Sequence, residues 1–266
     1  MNTQTLKLQA AALEGKGTAA TDWSISRIAA HQLLPGLASL VAFVPLLWAL
    51  TGTGIPRMAA LFLAILIGEV PMSWYLMIRS QRADGQTLSM QNLFPWRAPM
   101  GFWRLGLLGF GLAIAGMVII FGLATAAEPF IRETLFSWVP EGFVLQAGPA
   151  GMEGATRTGL LVLWALSGLV GVGIGGVTQE LYSRGFLLPR SAHLGWMSVP
   201  LNAGLFAMMH LAAPWGWPFF FFGALLWGAA VYRWRSIQLG LAGHVGMLAL
   251  GWLMMTGMVF GFIPAP

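Results

Sequence analysis

Gly176-Val177-Thr178-Gln179-Glu180-Leu181-Tyr182-Ser183-Arg184-Gly185-Phe186 sets a carboxylate and a guanidinium four residues apart inside an otherwise apolar run. At that spacing Glu180 and Arg184 share one helix face. A charge in a lipid-embedded helix costs a few kcal/mol even on the lenient insertion scales, so such a carboxylate must face the protein interior and have a partner. The stretch predicts a helix inside a membrane bundle, with Glu180 at a functional site.

The rest of the chain agrees with that reading. Of 266 residues, 57% are hydrophobic and 9% charged, against about 25% charged in soluble domains, and the mean hydropathy is +0.74. The fold class read from this is all-α, a polytopic transmembrane helical bundle of about seven to eight spans. Cysteine is absent, which excludes disulfides and thiolate metal sites and leaves His, Asp and Glu as metal ligands. The net charge of +5 does not indicate a nucleic-acid partner, because the basic residues stand singly or in pairs beside apolar runs rather than in a stripe.

Residues 1–32 are expected to form a cytoplasmic N-terminal tail, and 33–266 the integral membrane domain. The first span is read as Leu33–Thr51 and the second as Met58–Ile78, with Glu69 and Pro71 inside it. Glu69 is a second intramembrane carboxylate, with two open readings, a packing contact beside a proline kink or a functional group. A third span covers Leu105–Ala127, and the fourth begins near Thr158 and carries the opening motif. Eleven of fourteen Lys and Arg fall in the tail, the 79–104 loop, the 184–190 segment and the 233–235 pair. The positive-inside rule then sets the N-terminus in the cytoplasm and the Glu-rich loop 128–157 outside.

A turn is expected near His193-Leu194-Gly195, followed by a helix over Pro200–Leu211. Glu180 and His210 lie equally far from that turn, so in an antiparallel hairpin they reach one depth. A carboxylate and an imidazole there suit either general-base activation of water or joint metal ligation. His244, in Gly240-Leu241-Ala242-Gly243-His244-Val245-Gly246, sits among small residues that allow close helix approach. Depth counting places it nearer than His210 to the Arg233 and Arg235 end.

Three blocks resemble the signature of the CPBP family of CAAX prenyl proteases and bacteriocin-processing, or Abi, proteins. They are Gln179-Glu180-Leu181-Tyr182-Ser183-Arg184-Gly185, Leu205-Phe206-Ala207-Met208-Met209-His210, and Ala229-Ala230-Val231-Tyr232-Arg233 leading to Leu241-Ala242-Gly243-His244. The family pattern is Glu-Glu-x-x-x-Arg, Phe-x-x-x-His and His-x-x-x-Asn on successive helices, and the order and spacing match over about 176–250, within a CPBP-like core at about 158–262. The resemblance implies an intramembrane endopeptidase fold in the bacterial inner membrane, with Gln179, Glu180, His210 and His244 at the catalytic positions. Arg184 is then the structural partner of Glu180, His210 matches the water-activating histidine, and His244 matches the oxyanion-side histidine. It also implies a divalent metal such as zinc, for which His210 and His244 are the candidate ligands.

Two positions depart from the pattern. Gln179 stands where the first Glu would be, and it positions a water without accepting its proton. Leu248 stands where the Asn would be, and losing one oxyanion donor typically costs about 2.7–4 kcal/mol in the barrier. The expectation is therefore an impaired or atypical member that binds a membrane peptide, lipid or partner complex as a scaffold or assembly factor. The alternative is an active, metal-assisted endopeptidase. A transporter is the third class, but the two halves show no internal similarity of the kind inverted repeats would leave.

Overall fold

The computed structural model describes residues 22–145 and 149–262. The expected tail lies, over residues 1–21, outside them. Helix α1, Ile25–Leu50, is capped by the Ser24 hydroxyl, which accepts from the Arg27 N–H at 3.3 Å. It starts ahead of the expected Leu33 because the polar residues that interrupt its hydropathy have partners in the protein. Gln32 is fully buried and donates to Ser183 Oγ at 3.0 Å. Arg27 pairs with Asp84 at 3.1 Å. The buried positions Ile28, Gln32, Pro35, Gly36, Ser39, Phe43 and Leu47 form one stripe at helical spacing.

The chain continues through α2, Met58–Ala83, α3, Phe102–Leu135, and α4, Arg157–Arg190. The short α5, Ser198–Met209, follows, then α6, Pro214–Trp234, and α7, Ile237–Val259. All but α5 are long and apolar enough to cross a membrane, since about 20 residues span the hydrocarbon. The molecule is an integral membrane protein. The seven to eight spans expected resolve into these six long helices and the twelve-residue α5. The turn after α5 still reaches the far end of the bundle, because Trp215 packs there with Val144 and Leu145. Among the described residues the only extended pairing is a bridge between Arg97 and Ser236.

That bridge ties the loop before α3 to the joint between α6 and α7. The Ala98 N–H donates to the Arg235 carbonyl, and the Ile237 N–H to the Trp96 carbonyl, each at 2.9 Å. Arg235 adopts a left-handed conformation at φ 50°, which costs a non-glycine residue about 1–2 kcal/mol. Its guanidinium offsets this by lying 3.9 Å from the Trp96 ring and 4.3 Å from the Tyr232 ring.

Two helix contacts set the depth of the site. A methyl at Gly36 would fall 2.1 Å from the Met209 carbonyl oxygen, so α1 and the end of α5 touch backbone to backbone. Between α2 and α4, a methyl at Gly171 would meet Phe62 and one at Gly175 would meet Ile65. These helices therefore run parallel along this stretch. One turn further on, Glu69 comes beside Gln179.

Candidate functional site

π-helical segments occupy Ile65–Glu69 in α2, Val118–Leu123 in α3, Leu241–Val245 in α7, and Ser167–Gly175 and Leu181–Leu187 in α4, where they flank the α-helical Gly176–Glu180; such segments are a local geometry frequent at functional sites. The turn expected near His193–Gly195 is present, with Gly195 at φ 63°, and it folds α5 back beside α4.

Glu180 is fully buried and lies at the centre of the cluster. Its Oε2 is 3.4 Å from Arg184 Nη1 and 3.1 Å from His244 Nδ1. The close approach of α7 to α4 depends on Gly240, where a methyl would fall 2.1 Å from Glu180 Oε1. This contact resolves the depth of His244, since α7 is laid directly on the α4 carboxylate. Arg184 makes no hydrogen bond with its guanidinium nitrogens. Its charge is met by the Glu180 carboxylate and by aromatic faces, Phe206 at 3.9 Å and Trp227 at 6.0 Å. The His244 ring stacks on Trp227 at 4.5 Å.

His210 ends α5 and stands apart from that ion pair. Its Nδ1 is 2.9 Å from the Phe206 carbonyl one turn earlier, which it meets as a donor. Its ring packs on Phe206 at 4.9 Å and on Phe220 at 4.5 Å. Phe206 also meets the His244 ring edge-on at 5.8 Å, so one phenyl ring contacts both imidazoles and no hydrogen bond joins them. The hairpin brings His210 into the same layer as Glu180 but not into polar contact with it.

Gln179 faces the other way around α4. Its side chain lies beside the carboxyl of Glu69 on α2, and both residues are buried. Spacing within the motif blocks could not reveal this partner, because Glu69 comes from α2. Only its position as a carboxylate inside an apolar span marked it. Leu248 packs against the α4 backbone at Gly176 and lines an apolar cavity of about 240 Å³ together with Phe62, Phe121, Gly171 and Trp252.

His210 and His244 are the candidate zinc ligands. His210 and His244 each commit Nδ1 to a protein oxygen and keep Nε2, an arrangement compatible with metal ligation. Among the described residues, however, no three His, Asp or Glu are grouped to hold a metal, and structural or catalytic zinc needs at least three protein ligands.

Residues 160–250 match the family model described as Rce1-like, type II CAAX prenyl endopeptidase. This segment is similar to that family. The matched span contains all three motif blocks, so the CPBP resemblance of the motifs and the family match fall on the same helices, α4 to α7. No curated protein and no solved structure matches the chain. Within the matched segment Glu180, Arg184 and His244 form a buried cluster, while Glu69 lies outside the segment.

Proposed function

We propose that this protein is a non-proteolytic member of the Rce1-like membrane proteins, a scaffold that holds a membrane-spanning segment of a partner within a hydrolase-derived fold. One observation carries the reading. The remaining motif carboxylate, Glu180, is fully buried and engaged by Arg184 and His244, while an amide, Gln179, occupies the position of the family's base. A base must accept a proton from a water it can touch, and Glu180 is held as the counter-ion of a guanidinium instead. Leu248 adds an apolar wall where the family pattern has a hydrogen-bond donor. The lipid bilayer and a membrane protein complex are the partners of this reading. Its setting is the bacterial inner membrane with the N-terminus in the cytoplasm, supported by the eleven-to-three division of basic residues. A zinc ion at His210 and His244 belongs to the hydrolytic alternative.

The purified full chain in lipid nanodiscs, offered fluorogenic prenylated and hydrophobic peptides with and without added zinc, is expected to leave them intact. Restoring the family pattern with Gln179→Glu and Leu248→Asn together is expected to create measurable cleavage. Cleavage by the unaltered protein that disappears in His210→Ala would overturn the proposal.

A further inference from the structure

A second cavity lies beside the turn that joins α5 to α6. Its volume is about 390 Å³, and α3 builds one wall of it, from Ile120 and Phe121 through Ala124 to Glu128 and Arg132. Leu61 of α2 and Trp215 and Phe220 of α6 help to complete the lining, and none of Gln179, Glu180, His210 or His244 belongs to it. The two charged residues of the lining have opposite signs and stand one helical turn apart, about 5–6 Å between Cβ atoms. They do not neutralise each other in an ion pair. Among the described residues Glu128 forms none, and Arg132 pairs only with Glu133, at 3.8 Å. The Glu133 side chain is 73% exposed, and so open a contact is worth little. Glu128 and Arg132 are both half-buried, with Glu128 beside Trp215.

Depth in the membrane decides what can meet this pair. Phe102 and Trp103, 78% and 79% exposed, mark one interface at the start of α3. Glu128 stands about 39 Å of helix further on, past the roughly 30 Å of hydrocarbon and within the headgroup layer. The exposed Phe130 and Trp138 suit the aromatic belt of that second interface. From Glu128 the cavity wall runs two turns back toward the hydrocarbon, through Ala124 to Phe121 and Ile120. Polar and apolar parts of the lining thus follow the polar and apolar layers of one leaflet. Thr125 and Pro129 of the same wall are exposed, so lipid reaches it.

From this arrangement we infer that the cavity binds one molecule of phosphatidylethanolamine, with its ammonium on Glu128, its phosphate on Arg132 and the upper part of an acyl chain along Phe121 and Ile120. A zwitterionic headgroup carries its two charges on one short arm, as α3 carries the complementary pair on one short stretch. The guanidinium presents a planar fork of donors that suits phosphate. A carboxylate selects a headgroup with N–H donors, which ethanolamine has and choline lacks, while a glycerol headgroup brings no cation at all. The arriving ammonium, with Arg132 nearby, favours the ionised carboxylate. The inference goes beyond the scaffold reading and is independent of it, because neither Glu128 nor Arg132 belongs to the motif blocks.

The test reconstitutes the full chain in nanodiscs of phosphatidylethanolamine, phosphatidylcholine and phosphatidylglycerol in equal parts, with identical acyl chains. Native mass spectrometry then counts the lipids that stay on the released protein. Phosphatidylethanolamine is expected to be retained at least about fivefold over either of the others. Glu128→Gln and Arg132→Gln are each expected to remove that preference. Glu133→Gln, which changes the charge of the same helix end outside the cavity lining, is expected to keep it. Equal retention of the three lipids overturns the inference, as does a preference that survives Glu128→Gln or is lost equally in Glu133→Gln. Retention of phosphatidylcholine equal to that of phosphatidylethanolamine overturns the assignment to ethanolamine. Displacement of the lipid by an equal concentration of soluble glycerophosphoethanolamine overturns the lipid in favour of its free headgroup. Should Glu128→Gln or Arg132→Gln fail to fold, Ala124→Phe fills the cavity beside Phe121 and must lower phosphatidylethanolamine to the level of the other lipids. Unchanged retention in that variant also overturns the inference.

Discussion

Glu180 and Arg184 form an ion pair in the protein interior. Both side chains are fully buried, and neither has water to fall back on, so each is tolerable only because the other is present. Removing one leaves the other as an uncompensated charge, which costs about 3–5 kcal/mol, whereas removing both can be nearly neutral. Arg184→Met is therefore expected to lower the melting temperature in detergent strongly, and Glu180→Gln combined with Arg184→Met is expected to recover much of the loss. Additive losses in the double variant would show that the two charges do not depend on each other. The pair was legible in the sequence, since four-residue spacing in an apolar run leaves few other outcomes. The third member, His244, was legible only through the order of the motif blocks. The partner of Gln179 was not legible at all, because Glu69 lies on α2 and its meeting with Gln179 depends on the offset of two parallel helices.

At the level of elements, small residues decide which helices can meet, and polar residues decide where the hydropathy of a helix is misread. The start of α1 was hidden by Arg27, His31 and Gln32, which read as surface but are tied to Asp84, Tyr182 and Ser183. The meeting of α4 and α7 depends on Gly240, whose missing side chain leaves room for the Glu180 carboxylate. That carboxylate has little freedom to retreat, being drawn by Arg184 and His244 at once. Gly240→Ala is accordingly expected to destabilise the protein by about 1–3 kcal/mol, the usual range for overpacking, read as a lowered melting temperature in detergent. Gly106→Ala, where a methyl meets nothing within 4 Å, is the control and is expected to be silent. Equal effects of the two substitutions would remove Gly240 from the account of how the site is assembled.

Across the whole molecule, the chain's path fixes which ends lie together. Arg157 at the start of α4 donates to the Val259 carbonyl at the end of α7 and lies over the Phe260 ring, so the last helix finishes at the end of the bundle where α4 begins. The Glu-rich loop belongs to that same end, since the Arg57 guanidinium donates to the Glu141 carbonyl at 2.8 Å. Asp84 and Arg190 mark the opposite end, close to Trp23, whose N–H donates to the Arg190 carbonyl at 3.1 Å. The basic residues divide unevenly between these ends, and the positive-inside rule converts that asymmetry into an orientation. Because the chain contains no cysteine, single cysteines can be read without background. Glu141→Cys and Arg82→Cys both replace exposed residues, one at each end. A membrane-impermeant maleimide applied to intact cells is expected to label the first and spare the second until the cells are lysed. Labelling of Arg82→Cys alone before lysis would reverse the orientation of the bundle and turn the cavity above Leu248 toward the other face of the membrane.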